Sequence, residues 1–275
     1  IPIITGFQGI TEGGDITTLG RGGSDTTAVA IAAQVKAKRC DIYTDVDGVY
    51  TTDPKVVSNA KKLDSITMEE MLELAGQGAK VMQTRAVEFA NKFDVPVRVL
   101  SSFNDGSGTL ISLEEDSMEN ALVSGIAFQK DQVKFTLHGV GDTPGTAFKI
   151  LGPISNADVE VDVIIQNVSV DGKTDFTFTV SKDDQETVEN TIKSIKEEVN
   201  FRELIIDSNI AKVSIVGAGM RSQTGVASTA FKALSDNDVN IQIICTSEIK
   251  ITMVIDKSLL DKAVNILHDA FELDK

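Results

Sequence analysis

Thr17-Thr18-Leu19-Gly20-Arg21-Gly22-Gly23-Ser24-Asp25-Thr26-Thr27-Ala28-Val29-Ala30 runs from a β-branched pair, through a glycine-rich turn, into an Ala/Val-rich helix. Glycines let the backbone approach a ligand closely. Ser24 or Asp25 is a natural N-cap, which leaves the first helical N–H groups facing an anion. Arg21 adds a planar fork suited to a carboxylate or a phosphate. By itself the segment reads equally well as a tight strand-to-helix turn, and it lacks the Gly-x-x-x-x-Gly-Lys-Ser/Thr pattern of a P-loop.

Outward from this turn, residues 1–112 alternate strand and helix. The pattern predicts a strand over 1–5, a glycine-rich loop over 6–15, a helix over 26–37 and a strand over 40–44 that ends in the turn Asp45-Val46-Asp47-Gly48. Thr67-Met68-Glu69-Glu70 has the capping-box pattern at the head of a helix. A further helix over 79–93 leads to a strand over 97–100. Such alternation predicts an α/β sheet with ligands at the carboxyl ends of its strands. Asn104-Asp105-Gly106-Ser107-Gly108 and the acidic run Glu114-Glu115-Asp116 mark a boundary.

The second half repeats itself. His138-Gly139-Val140-Gly141, Thr146-Ala147-Phe148-Lys149 and Asp158-Val159-Glu160-Val161-Asp162 return as Val216-Gly217-Ala218-Gly219, Thr229-Ala230-Phe231-Lys232 and Asp238-Val239-Asn240-Ile241-Gln242. Each copy continues with a β-rich run and an amphipathic helix. The order strand, helix, strand, strand, helix, with a final strand, is the ferredoxin-like βαββαβ pattern. Two copies make a tandem pair, too few for a solenoid.

Composition narrows the function classes. At 275 residues the chain is long enough for two domains, and 41% hydrophobic with 24% charged residues is a globular balance. A net charge of −15 argues against nucleic acid as a general partner, and nothing in the sequence resembles a membrane span. Cys40 and Cys245 sit in apolar strand-like runs without metal-ligand spacing, which predicts buried free thiols in a cytoplasmic protein. His138 and His268 are the only histidines, and neither lies in a catalytic motif.

Two further segments carry chemistry. In Thr44-Asp45-Val46-Asp47-Gly48-Val49-Tyr50-Thr51-Thr52-Asp53-Pro54-Lys55 the acidic residues fall short of a calcium loop, and no resident metal site is expected. As a plain reading it is a turn on the rim of the sheet. As a nucleotide loop, Tyr50 gives a flat wall for a base, the hydroxyls give hydrogen bonds and Lys55 gives charge for phosphate. Gly76-Gln77-Gly78-Ala79-Lys80-Val81 breaks helical periodicity and delivers a lysine at a helix start.

Together, in this order and spacing, these three segments closely resemble those of the aspartate kinases within the amino-acid kinase family. The paired repeats match that family's tandem ACT domains, so the resemblance covers essentially the whole chain. It implies the C-terminal part of an amino-acid kinase α/β sandwich over residues 1–116. It also implies a first ACT domain over 131–208 and a second built from 117–130 and 209–275, the latter unit borrowing a strand from the segment 121–129. The implied reaction is phosphoryl transfer from Mg-ATP to the side-chain carboxylate of L-aspartate, giving 4-phospho-L-aspartate. Positioning and charge neutralisation dominate such chemistry, so the lack of a motif histidine is no obstacle.

By the same resemblance, Arg21, Gly22, Gly23 and Ser24 hold aspartate and Asp25 organises catalysis. Thr44, Asp45, Tyr50, Thr51, Thr52, Asp53, Pro54, Lys55, Lys80 and Val81 line the ATP site. The family commonly carries arginine where this chain has Lys55, which keeps the charge without the bidentate geometry. Lysine or threonine, or both, is implied as effector. The matching positions are Asp142, Thr143, Pro144, Gly145, Thr146 and Ala147, then Glu160, Val161, Asp162 and Gln166. In the second copy they are Val226, Ala227, Asn240, Ile241, Thr246, Ser247 and Glu248. The ACT units imply a homodimer or higher oligomer. Members begin with a Lys-Phe/Tyr-Gly-Gly-type strand, whereas this chain opens on Ile1-Pro2-Ile3-Ile4. The expectation is therefore a piece of a longer enzyme, inactive alone. A non-catalytic amino-acid-sensing subunit is the alternative, and the ACT pair argues against a glutamate or carbamate kinase.

Overall fold

The computed structural model describes residues 1–79, 81–113, 122–167, 172–221 and 223–275. The first half opens with an antiparallel pair, β1 (Gln8–Ile10) and β2 (Ile16–Thr18). It continues through α1 (Gly23–Gln34), β3 (Cys40–Thr44), β4 (Ser65–Thr67), α2 (Met68–Gly76), α3 (Thr84–Lys92), β5 (Val97–Ser101) and β6 (Thr109–Ser112). The last four of its strands form a sheet in the order β3-β5-β6-β4, with β3 parallel to β5, β4 parallel to β6, and β5 antiparallel to β6. One apolar cluster joins sheet and helices: Val29 and Ala32 of α1, Met71 and Leu74 of α2, and Ala86 and Ala90 of α3 meet Ile42, Val97, Val99 and Ile111.

Several local expectations change here. Residues 1–5 form no strand, and Ile1, Ile3 and Ile4 are exposed; the first strand lies inside the stretch read as loop. Helix α1 starts at Gly23, earlier than predicted, because Gly22 takes the N-cap position in the left-handed region (φ 72°). Ser24 and Asp25 therefore sit in the first turn and neither caps the helix through its side chain. Helix α3 starts at Thr84, later than predicted. The capping box is present: Thr67 Oγ1 accepts from the Glu70 amide at 3.2 Å, and Glu70 Oε2 accepts from the Thr67 amide at 3.2 Å.

The second half is a six-stranded antiparallel sheet. Its elements are β7 (Gly125–Gly141), α4 (Thr146–Ser155), β8 (Val161–Gln166), β9 (Lys173–Ser181), α5 (Gln185–Ser194) and α6 (Lys196–Val199). Then follow β10 (Glu203–Val216), α7 (Val226–Ser235), β11 (Ile241–Thr246), β12 (Lys250–Asp256) and α8 (Leu260–Ala270). The strand order is β11-β12-β10-β7-β9-β8. The long strands β7 and β10 run through the middle and pair with each other in two stretches separated by register shifts at Asp207/Ile210 and Ile210/Lys212. These shifts divide the sheet into two halves.

In one half, Phe135 and Leu137 of β7 and Phe176 and Phe178 of β9 pack against Ile150 and Ile154 of α4 and Val188 and Ile192 of α5. Phe135 and Phe178 stack with ring centroids 5.5 Å apart. In the other, Val213 and Ile215 of β10 and Met253 and Ile255 of β12 pack against α7 and α8. The two halves are filled differently at one position. The first copy ends in its own strand, the start of β10. No strand follows α8 among the described residues, and the equivalent place beside β10 is taken by the first stretch of β7, Gly125 to Gln129. Cys40 is buried, whereas Cys245 on the edge strand β11 is exposed, contrary to the expectation of two buried thiols. Alternation would place Cys245 on the face of buried Ile243, but the last three residues of β11, Ile244 to Thr246, are all exposed at the edge of the sheet. No helix among the described residues is long and apolar enough to cross a membrane.

Candidate functional site

The glycine turn forms one wall of a cleft of about 290 Å³, where Arg21, Gly22, Gly23, Ser24 and Asp25 meet Thr44 at the end of β3 and Val81. Two residues that sequence reasoning missed complete it, Phe7 and Gln83. Gln83 is the N-cap of α3, and its side chain lies so close to Gly22 that a Cβ there would stand 1.8 Å from Gln83 Cγ. Gly22 is thus fixed twice, by a positive φ and by the close approach of Gln83. Arg85 Nη1 donates to the Leu19 carbonyl at 3.1 Å and ties α3 to the strand entering the turn. The first turn of α1 is tightened by Thr26 Oγ1 and Thr27 Oγ1, which donate to the Gly22 and Gly23 carbonyls at 3.1 and 2.8 Å.

Arg21 and Ser24 are exposed in the cleft, and Asp25 is partly buried. Burial pushes the Asp25 carboxyl up from its ordinary value. A desolvated carboxylate without a compensating charge favours arrival of a cation. The cleft therefore pairs a cationic fork with an anionic group, a match for a zwitterionic amino acid or for a metal-bound phosphate chain. No cluster of three or more metal-ligating side chains occurs among the described residues.

The remaining proposed nucleotide residues do not line this cleft. Thr44 Oγ1 donates to Asp45 Oδ1 at 3.1 Å, at the carboxyl end of β3. Tyr50 donates its hydroxyl to Asp47 at 2.9 Å, and Lys62 stands 3.5 Å from the same carboxylate. Asp53, Pro54 and Lys55 are exposed, in a turn where Asp53 Oδ1 accepts the Lys55 amide at 2.9 Å. Thr51 and Thr52 are buried, at 3% and 5% exposure, and Thr52 Oγ1 has no hydrogen-bond partner. Thr51 Oγ1 accepts the Lys61 amide and lies 3.0 Å from His268 Nε2. Lys80 lies outside the described residues.

Helix α2 joins this half to the six-stranded sheet, which sequence reasoning missed. Beyond capping its own helix, buried Glu70 accepts from Ser124 Oγ at 2.5 Å and from the Ala218 amide at 2.8 Å. Glu73 pairs with Lys250 at 2.7 Å, and Gln77 accepts from Ser214 at 3.0 Å. Arg221 bridges Glu69 of α2 to Glu248, one of the proposed effector residues.

The two repeat turns are alike. Gly145 (φ 93°) and Gly225 (φ 103°) occupy the N-cap positions of α4 and α7, each ahead of a buried residue, Thr146 and Val226. Asp142, Thr143 and Pro144 are exposed; Thr146 is buried and donates to the Gly141 carbonyl at 2.9 Å. Gln166 Nε2 reaches Asp142 Oδ1 at 3.5 Å, so the turn and the end of β8 are neighbours. Ala147 and Val161 are partly buried, and Glu160 is exposed. Asp162 is already engaged by the almost fully buried Lys212 of β10. Burial alone would raise the Asp162 carboxyl, but the Lys212 hydrogen bond and charge hold it below its ordinary value. In the second copy Val226 is buried and Ala227 and Ile241 partly so, while Asn240, Thr246, Ser247 and Glu248 are exposed.

Residues 1–101 match the profile of the amino acid kinase family, and residues 213–271 that of an ACT domain. Fold and site thus define an amino-acid kinase unit joined to a regulatory module of ACT type. An aspartate kinase of Pseudomonas fluorescens (strain SBW25) is 60% identical over 275 residues, covering 100% of this chain and 67% of its own length. The crystal structure of Clostridium acetobutylicum aspartate kinase superposes with a TM-score of 0.86 at 28% identity, over 97% of this chain and 62% of that one. E. coli aspartokinase III in complex with aspartate and ADP gives 0.79 at 30% identity, over 96% and 59%. The same enzyme in complex with lysine and aspartate gives 0.73 at 31%, over 97% and 59%. The chain belongs to the aspartate kinase family, and it spans about two thirds of the length of its Pseudomonas relative.

Proposed function

We propose that this chain serves an aspartate kinase that transfers the γ-phosphoryl group of MgATP to the side-chain carboxylate of L-aspartate. A carboxylate oxygen attacks the γ-phosphorus, the bond to the β,γ-bridging oxygen breaks, and ADP leaves with that electron pair. No proton moves, so the protein's task is to orient the two anions and neutralise their repulsion. Arg21 grips the aspartate with Gly22, Gly23 and Ser24, and Asp25 receives the positive charge of the substrate ammonium or of the magnesium carried by the nucleotide. Thr44, Asp45, Lys80 and Val81 serve the phosphates, with Tyr50, Asp53, Pro54 and Lys55 at the outer rim. Thr51 and Thr52 contribute by shaping the loop. The observation that carries this reading is the meeting of Arg21–Asp25 with Thr44 and Val81 around one cleft.

The regulatory module is read as two interleaved ACT domains, 131–208 and 117–130 with 209–275, behind a kinase part over 1–116. Lysine, threonine or both act at the turns before α4 and α7, and the module pairs the chain into a dimer or a larger assembly. The nearness of Gln166 to Asp142 supports a site at the first turn. Steady-state kinetics of the complete gene product test the catalytic assignment. Arg21→Ala is expected to raise KM for L-aspartate at least tenfold, the scale of a lost charge-assisted hydrogen bond, and Arg21→Lys to recover only part of it. An aspartate KM indifferent to both substitutions would remove Arg21 from the substrate site.

A further inference from the structure

The loop between β3 and β4 carries the proposed nucleotide residues Tyr50 to Lys55, yet much of it is built into the second regulatory unit. Val57 is fully buried in the apolar cluster that α7 and α8 form with β10 and β12, and Val56 and Ala60 pack beside it. The Ile126 amide of β7 donates to the Thr51 carbonyl at 2.7 Å. Helix α8 reaches the loop directly. Asn265 Nδ2 donates to the Val56 carbonyl at 3.2 Å, and His268 Nε2 lies 3.0 Å from Thr51 Oγ1. Just past the helix, Asp274 accepts from Asn59 at 3.4 Å.

His268 is wholly buried, and its Nδ1 has no hydrogen-bond partner. Burial pushes its pKa down, against the charges of Asp269 and Asp274. The neutral ring has one hydrogen-bonded nitrogen, Nε2, and shares that bond with the Thr51 hydroxyl. Thr51 Oγ1 also accepts from the Lys61 amide at 3.0 Å, so the hydroxyl is held from both sides. A hydrogen bond with a buried histidine thus fixes the side chain between Tyr50 and Thr52. The apolar contacts hold the far end of the same loop.

We propose that His268 is a positioning residue through which α8, the last helix of the second regulatory unit, holds the nucleotide loop in shape. The proposal rests on the reading of Tyr50–Lys55 as nucleotide residues. It makes the regulatory unit a structural part of the MgATP site and not only a sensor attached to it.

Calorimetric titration with MgADP, together with hydrogen exchange over residues 50–62, tests this in His268→Leu, Thr51→Val and the double variant. Each single substitution is expected to weaken MgADP binding about fivefold, the size set by one buried hydrogen bond, and to speed exchange in the loop. The double variant is expected to be no weaker than the worse single, because either change already breaks the pair. His268→Gln, whose amide can donate to or accept from the Thr51 hydroxyl, is expected to recover most of the affinity, and L-aspartate binding is expected to stay unchanged throughout. Asn265→Ala, at a partly exposed position, gives a second probe that leaves the core intact, with a smaller effect in the same direction. Binding of MgADP by the variants as tight as by the unaltered protein, with native exchange in the loop, would overturn the inference and leave the nucleotide reading standing. Failure of the complete, unaltered gene product, in which all these measurements are made, to bind MgADP would instead overturn the nucleotide reading, and this inference with it.

Discussion

Gly22 shows how much one position can decide. It starts α1 from the left-handed region and leaves room for Gln83, which lines the same cleft. Gly22→Ala is expected to lower stability by about 1–3 kcal/mol, from left-handed strain and from displacement of Gln83, as measured by urea unfolding. Wild-type stability in that variant would mean that the turn relaxes freely. Residue types at the turn were legible in the sequence: glycines, one arginine and one aspartate near a helix start imply an anion site whichever residue caps the helix. The direction of a side chain was not. Thr51 and Thr52 look like ligand hydroxyls in sequence and are buried, because the partner that turns Thr51 inward is His268, 217 positions away.

Among the elements, α2 has both a local and a long-range role. The Thr67–Glu70 capping box was legible, since its two residues are three apart and act on each other. The second use of Glu70 was not, since its partners Ser124 and Ala218 lie 54 and 148 positions away. Removing the carboxylate strips the cap from α2 and leaves two partly buried donors, the Ser124 hydroxyl and the Ala218 amide, unpaired. Glu70→Ala is therefore expected to cost about 3 kcal/mol in chemical unfolding, and Glu70→Gln about 1 kcal/mol. A cost for Glu70→Ala near the 1 kcal/mol of an isolated cap would show that the contacts to Ser124 and Ala218 contribute nothing. Strand boundaries failed at residues 1–5 for a related reason: an apolar run becomes a strand only where a neighbour pairs with it.

At the scale of the molecule, the repeated pattern of the second half was legible because glycine turns, apolar helix faces and strand runs recur in the same order. The shared sheet was not. Periodicity does not say that β7 and β10 continue across the register shifts and serve both halves, nor that the loop after β3 is buried beneath α8. These features arise from tertiary pairing, and they make the kinase part and the regulatory module one packed body through α2, loop 50–62 and α8. Arg221, which touches both Glu248 and Glu69 of α2, is one of the contacts that tie the two parts together.

The acyl phosphate product of the proposed reaction announces itself chemically. Incubation of the complete gene product with MgATP, L-aspartate and hydroxylamine traps the product as a hydroxamate. Hydroxamate formed in proportion to ADP, dependent on L-aspartate and strongly reduced in Arg21→Ala, is the predicted result. ADP release without hydroxamate, or hydroxamate formation indifferent to the loss of Arg21, would contradict it.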